Sequence, residues 1–318
     1  MSFFSFLSRY TLDCFRDTKR IVNYFDLVKL NNILVIPKIF FIKLFYGLSF
    51  IRNFRIKPLD INISQLSNSN LFKISPSKEI IKDIDDFGYS KPFMINENLL
   101  DSIKNEIFLN QNAEAKIKNI NSAQLLKKND ESLNDYFLRL RNSKISRITG
   151  YINLKNKSYV RDLLTSDLFL KIASQYLETN KFSINAAYFL SNPLEISEQE
   201  KYSNAQYFHW DNDFRKFLKL YIYLTDVDEA SGPHIFIPGT HKDKLKEHRL
   251  CRLYKDNDIY SAYKNKIIFK GNAGSSFFVD SYGIHKGETP IAKSRLIINV
   301  HYGRGKILYT PGDLYYSI

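Results

Sequence analysis

The chain has 318 residues, 44% of them hydrophobic and 25% charged, with a formal net charge of +13. That length holds one large domain plus an appendage, and the composition is that of a globular protein with a sizeable core. Its two cysteines, Cys14 and Cys251, exclude a disulfide-built scaffold and fit a reducing, cytoplasmic compartment.

Residues 1–57 hold ten Lys or Arg against three Asp, so more than half of the net charge sits in an aromatic, basic N-terminal extension. Met1 to Leu7 lacks the basic residues that precede the apolar core of a signal peptide. The apolar run at 33–51 is broken by Pro37, Lys38 and Lys43, whereas a membrane span needs about twenty mostly apolar residues. The extension is expected to be helical. It either packs on the domain or makes peripheral contact with an anionic membrane at its inner face. Residues 58–79, rich in Ser, Asn and Pro, read as a linker, and 80–318 as the main domain.

Within that domain, Gly88 to Ile95 reads as a first strand. A helix follows from Asn96 or Asn98 with Leu99, Leu100, Ile103 and Ile107 on one face. Residues 110–135 are polar and fit helix or loop. A second helix runs from 166 to 177 with Ser166 as N-cap and a stripe of Leu168, Ile172, Ala173, Tyr176 and Leu177. After residue 180 the period becomes two, and 181–190, 217–225, 234–237, 275–279 and 295–302 read as strands. A long insertion occupies 241–270. This is the spacing of a mainly β fold with flanking helices, a double-stranded β-helix (a cupin-like jelly roll), plus the helical N-terminal extension.

The chemistry concentrates late in the chain, where all six histidines lie beyond residue 208. In the run Tyr207 to Asp213, His209 and Asp211 are two residues apart, so a strand puts both side chains on one face. One such pair is weak evidence by itself. It gains weight from an ordered set of downstream motifs: Ser231-Gly232-Pro233, Pro238-Gly239-Thr240-His241, Gly283-Ile284-His285-Lys286-Gly287 and Ser294-Arg295-Leu296. His285 is well placed to be the second imidazole of a two-His, one-carboxylate facial triad, with His234, His241, His248 and His301 competing for that place. The glycines beside His285 point to close backbone packing near a site. His241 is read as structural, His248 as solvated, and His301 as facing inward with Arg295.

With these elements in this order the chain resembles, over residues 80–303, the phytanoyl-CoA dioxygenase family of Fe(II)- and 2-oxoglutarate-dependent oxygenases. The resemblance implies that His209, Asp211 and His285 hold Fe(II) and that Arg295 grips the co-substrate 2-oxoglutarate by paired hydrogen bonds. It places Tyr221 beside the co-substrate, on one strand face with Lys219 and Tyr223. An ordinary strand-edge Arg295 would instead sit in an ion pair. Asp211 implies hydroxylation or another oxidative C–H reaction, since related halogenases have a small residue there. The implied substrate is a small molecule or lipid-linked compound: a lipid, a glycolipid or an anionic metabolite. Arg215, Lys216, Lys219 and Lys286 favour the anionic one. Two other readings are a jelly-roll binding module without turnover and a basic RNA-associated protein. No ordered nucleic-acid motif accompanies the charge, so no nucleic-acid partner is expected.

Overall fold

In a computed structural model of the protein, the described residues are 72–73, 77–109, 113–115, 125, 127–128, 130–155, 158–211, 217–248, 252–303 and 314–317. The strands in chain order are β1 (Phe72–Lys73), β2 (Phe93–Ile95), β3 (Ala113–Ala115), β4 (Arg147–Ile152), β5 (Lys181–Ser191), β6 (Phe208–His209), β7 (Phe217–Tyr223), β8 (His234–Phe236), β9 (Leu253–Tyr254), β10 (Ile267–Phe269), β11 (Ser275–Val279), β12 (His285–Gly287), β13 (Arg295–Gly303) and β14 (Leu314–Ser317). The helices are α1 (Ser77–Phe87), α2 (Glu97–Leu109), α3 (Leu133–Asn142), α4 (Tyr159–Leu164), α5 (Asp167–Leu177), α6 (Glu198–Ser203) and α7 (Asp256–Ala262).

Two antiparallel sheets form. The larger runs β1-β2-β11-β7-β13-β5-β4-β3, with β14 also paired to β5, and the smaller runs β10-β8-β12-β6-β9. This is the jelly roll that the strand spacing predicts. Alternation assigns the faces. On the larger sheet Leu190, Leu220, Ile222, Leu296, Ile298 and Val300 join the helices in the main core. Their odd-numbered neighbours Tyr221, Tyr223, Phe277 and Ile297 meet Phe236 and Phe269 of the smaller sheet in a second cluster between the sheets. The outer face of the smaller sheet, with Phe208, Trp210, Ile235 and Ile284, packs on Tyr254 and Ile259.

The helix stripes behave as periodicity predicts: Leu100, Ile103 and Ile107 of α2 and Ile172, Ala173, Tyr176 and Leu177 of α5 are buried. Ser166 stands at the N-cap of α5 but makes no capping hydrogen bond, and its Oγ is buried without a partner.

Several expectations change. The first strand is only Phe93–Ile95, because Pro92 has no N–H to give a ladder, and upstream of it Tyr89 forms an isolated bridge to Val279. The 241–270 insertion is part of the fold: β9 extends the smaller sheet beyond β6, and β10 pairs with β8. Helix α1 begins inside the 58–79 stretch and buries Ile80 and Ile84 in the main core. Residues 1–57, on which the expected helical extension and its membrane contact rest, lie outside the described residues. Among the described residues no helix is long and apolar enough to cross a membrane.

Candidate metal centre

Strand β6 turns Phe208 to the outer face and His209 inward, and Asp211 returns to the inward face two residues on. In the β6–β12 ladder His285 is the direct cross-strand partner of His209, so their side chains project side by side. Their ring centroids are 4.3 Å apart. The Asp211 N–H donates to the Ser281 carbonyl at 2.9 Å, which ties the carboxylate to the segment leading into β12. Its Oδ2 lies 3.9 Å from His285 Nε2. One ligand atom from each of His209, Asp211 and His285 falls within 4.8 Å of the others.

Both imidazoles are oriented in the same way. His209 Nδ1 lies 2.9 Å from the Tyr207 carbonyl and His285 Nδ1 lies 2.9 Å from the Gly283 carbonyl. A carbonyl only accepts, so Nδ1 carries the proton and the Nε2 lone pair faces the cluster. Burial holds both imidazoles below their usual pKa, and for His209 the neighbouring His285 lowers it further. Burial pushes the Asp211 carboxyl up, but Lys219, His285 and His209 outweigh it and hold it well below the usual carboxylate range. Two neutral imidazoles and an ionised carboxylate are the protonation states a divalent cation needs. Lys219 Nζ sits 2.6 Å from Asp211 Oδ2.

The register of the larger sheet maps the wall opposite. Rows of inward side chains run across it: Arg147-Ser191-Arg295, then Thr149-Phe189-Ile297-Tyr223, then Tyr151-Ala187-Asn299-Tyr221-Phe277, then Asn185-His301-Lys219-Val279. Lys219 reaches the triad from the fourth row. Arg295 lies in the first, six residues along β13 from His301, or about 20 Å of strand. The guanidinium is buried, and its Nε has no hydrogen-bond partner. Among the described residues it makes no ion pair. Burial lowers its pKa, with partial compensation from Tyr223, Tyr221 and Glu288. Tyr221 is buried between Phe277 and His234, at 5.3 and 4.4 Å between ring centroids.

The other histidines divide. His241 bonds the Asp85 carbonyl at 3.0 Å through Nε2, away from the triad. His248 is not solvated: the insertion buries it between Tyr254 and Tyr263, and Nδ1 meets the Tyr263 hydroxyl at 3.1 Å. His301 faces inward opposite Lys219. His234 faces inward too, its ring 5.4 Å from that of His285. Lys286 points the other way from His285 and is held by Asp256 and Glu288 at 2.7 and 2.8 Å, which removes it from the cations expected near a substrate. Arg215 and Lys216 lie outside the described residues. Sequence reasoning passes over Tyr151, Asn185 and Asn299. Only the strand register reveals them, because none belongs to a motif.

The sequence model of the phytanoyl-CoA dioxygenase (PhyH) family matches residues 150–293, a span that includes the whole triad. No curated protein matches the sequence. Among solved structures, the chain is similar to HygX from Streptomyces hygroscopicus, crystallised with nickel, 2-oxoglutarate and hygromycin B (11% identity, 71% of this chain and 86% of that one, TM-score 0.48). It is also similar to the epimerase SnoN from nogalamycin biosynthesis, in complex with Fe3+, alpha-ketoglutarate and nogalamycin RO (12%, 71% and 83%, 0.47). A third is AviO1 from Streptomyces viridochromogenes Tue57 (15%, 77% and 99%, 0.45). The family match and the His-Asp-His cluster together make residues 150–293 a PhyH-family domain, and the protein a non-haem iron oxygenase that uses 2-oxoglutarate.

Proposed function

We propose that His209, Asp211 and His285 bind Fe(II), that Arg295 with Tyr221 beside it binds the distal carboxylate of 2-oxoglutarate, and that the enzyme hydroxylates a C–H bond of a hydrophilic, anionic small metabolite. The observation that carries this reading is the convergence of three ligand atoms within 4.8 Å, with both imidazoles held in the tautomer a metal requires. When bound, the iron and 2-oxoglutarate supply the oxidant, with O2 giving one oxygen atom to the substrate while 2-oxoglutarate becomes succinate and CO2.

The chain's own residues do the rest. The Tyr207 and Gly283 carbonyls hold the two imidazoles in place. Lys219 neutralises Asp211 in the metal-free protein. The aromatic cluster of Tyr221, Tyr223, Phe236, Phe269 and Phe277 lowers the local dielectric, which strengthens the attraction between Arg295 and a carboxylate.

Substrate class is argued from the sheet wall. Arg295 lies on one side of the triad. The row furthest from Arg295 carries Asn185, His301 and Lys219, all polar side chains. A polar wall suits a hydroxylated or anionic compound better than an acyl chain. Of the classes open in the sequence, this favours the anionic metabolite, or the head of a lipid-linked one, over a fatty acyl chain.

Anaerobic titration with Fe(II) and 2-oxoglutarate, read by the visible charge-transfer band, tests the site. His209→Ala is expected to lose the band, and Arg295→Ala to weaken 2-oxoglutarate binding more than Fe(II) binding. An undiminished band in His209→Ala would defeat the proposal.

A further inference from the structure

We propose that His234 is a second recognition residue for the distal carboxylate of 2-oxoglutarate, its imidazole N–H donating beside the Arg295 guanidinium. The inference rests on the reading of Arg295 as the co-substrate anchor.

Two unpartnered polar atoms carry it. Arg295 Nε and His234 Nε2 are both buried without a hydrogen-bond partner, although buried polar groups are almost always satisfied. The two side chains stand together. On the β8–β12 ladder His234 lies opposite Gly287, and a Cβ added at Gly287 would sit 3.3 Å from Arg295 Nη2. A side chain at 287 would fill this space, and glycine leaves it open.

The guanidinium has donors only, and a His234 imidazole protonated at its unpartnered Nε2 adds another beside the same glycine. One anion between them satisfies both. The ring is fixed in place by Tyr221 at 4.4 Å and Phe277 at 5.7 Å. The Tyr223 hydroxyl accepts the His234 backbone N–H at 3.3 Å, which fixes the strand that carries it. A neutral imidazole beside the guanidinium adds a hydrogen bond without charge repulsion. A neutral donor next to a cationic one matches a carboxylate's two oxygens and its single charge.

The test compares 2-oxoglutarate with 2-oxopentanoate, which has the same chain length and keto acid but a methyl group in place of the distal carboxylate. Each is titrated into the Fe(II)-loaded protein without O2 and followed by the charge-transfer band. His234→Phe keeps the ring contacts and removes the N–H. It is expected to weaken 2-oxoglutarate about ten- to a hundredfold, the usual loss for a hydrogen bond to a charged group. Affinities for 2-oxopentanoate and Fe(II) should stay as in the wild type. His234→Gln, which restores an N–H, should recover part of the loss. If His234→Phe does not fold, His234→Leu serves the same comparison.

Unchanged 2-oxoglutarate affinity overturns the proposal. So does an equal loss for both keto acids, because a packing defect does not distinguish them. If the wild type itself binds the two equally, the Arg295 anchor is what has failed. In that case Arg295→Met will also leave both affinities unchanged.

Discussion

Lys219 and Asp211 form the one close ion pair in the described triad, at 2.6 Å and largely buried on both sides. A divalent cation competes with the lysine for the same carboxylate oxygen. Removing the lysine should therefore move two quantities in opposite directions. In Lys219→Met the buried Asp211 loses the neighbour that does most to offset its burial, so its carboxyl pKa rises. A carboxyl with a depressed folded pKa contributes stability above its unfolded value of about 3.9, and the variant gives up part of that. Urea unfolding of the metal-free variant at pH 7 should show a loss of about 3 kcal/mol, the usual cost of stranding one member of a buried pair. Fe(II) or Mn(II) affinity measured by calorimetry should rise, since a positive charge has left the site. A fall in metal affinity would mean that Lys219 orients Asp211 rather than competes for it.

At the level of elements, β12 couples the centre to the outer shell. His285 and Gly287 face inward, while Lys286 faces outward and is clamped by Asp256 of α7 and by Glu288. The turn before it is tightly packed: a Cβ added at Gly283 would come within 2.3 Å of the Phe236 ring, and Phe236 is the cross-strand partner of His285. Gly283→Ala must displace that ring or the carbonyl that orients His285. Overpacking of this kind costs about 1–3 kcal/mol. Thermal unfolding should fall accordingly, and metal affinity should fall with it, whereas Gly239→Ala, strained by its positive φ of 78° but with open space around it, should lower stability and leave metal affinity unchanged.

Elements of this kind also show what a sequence reveals. Strands β5, β7 and β13 are legible from alternation because one face is apolar throughout. Strand β4 is not, because Gly150 interrupts its alternation, and only the Tyr188 ring, 2.0 Å from where a Cβ would stand, explains the glycine. The triad is legible because two of its members stand two residues apart in one extended run and the third lies in a glycine-flanked motif. His234 carries no such mark, since Arg295 is 61 residues away and on the other sheet, and only the packing of the two sheets at Gly287 brings them near each other. His248 reads as solvated because a charged insertion resembles a surface loop until Tyr254 and Tyr263 are seen enclosing it.

For the whole molecule, the histidines set the response to acid. Burial lowers the pKa of His209, His234 and His285 in the folded protein, and of His241 and His248 as well. In the unfolded chain each titrates near 6.5. Below that pH the unfolded state binds more protons than the folded state, so stability falls as pH falls. The sign is opposite to that of a histidine stabilised by a carboxylate. Asp211 adds nothing between pH 6.5 and about 5, because it is ionised in both states there, and it enters only near the unfolded carboxylate range. Each proton taken up on unfolding contributes a slope of about 1.4 kcal/mol per pH unit. The buried imidazoles all act in this direction. The urea midpoint of the metal-free protein should be flat from pH 8 to 7 and drop steeply from 6.5 to 5. Saturating Mn(II) without O2 should shift the drop to lower pH, since the cation holds His209 and His285 unprotonated and favours the folded state that binds it. A midpoint independent of pH over this range would mean that the imidazoles are hydrated and protonated in the folded protein, and the metal centre would then lack its neutral ligands.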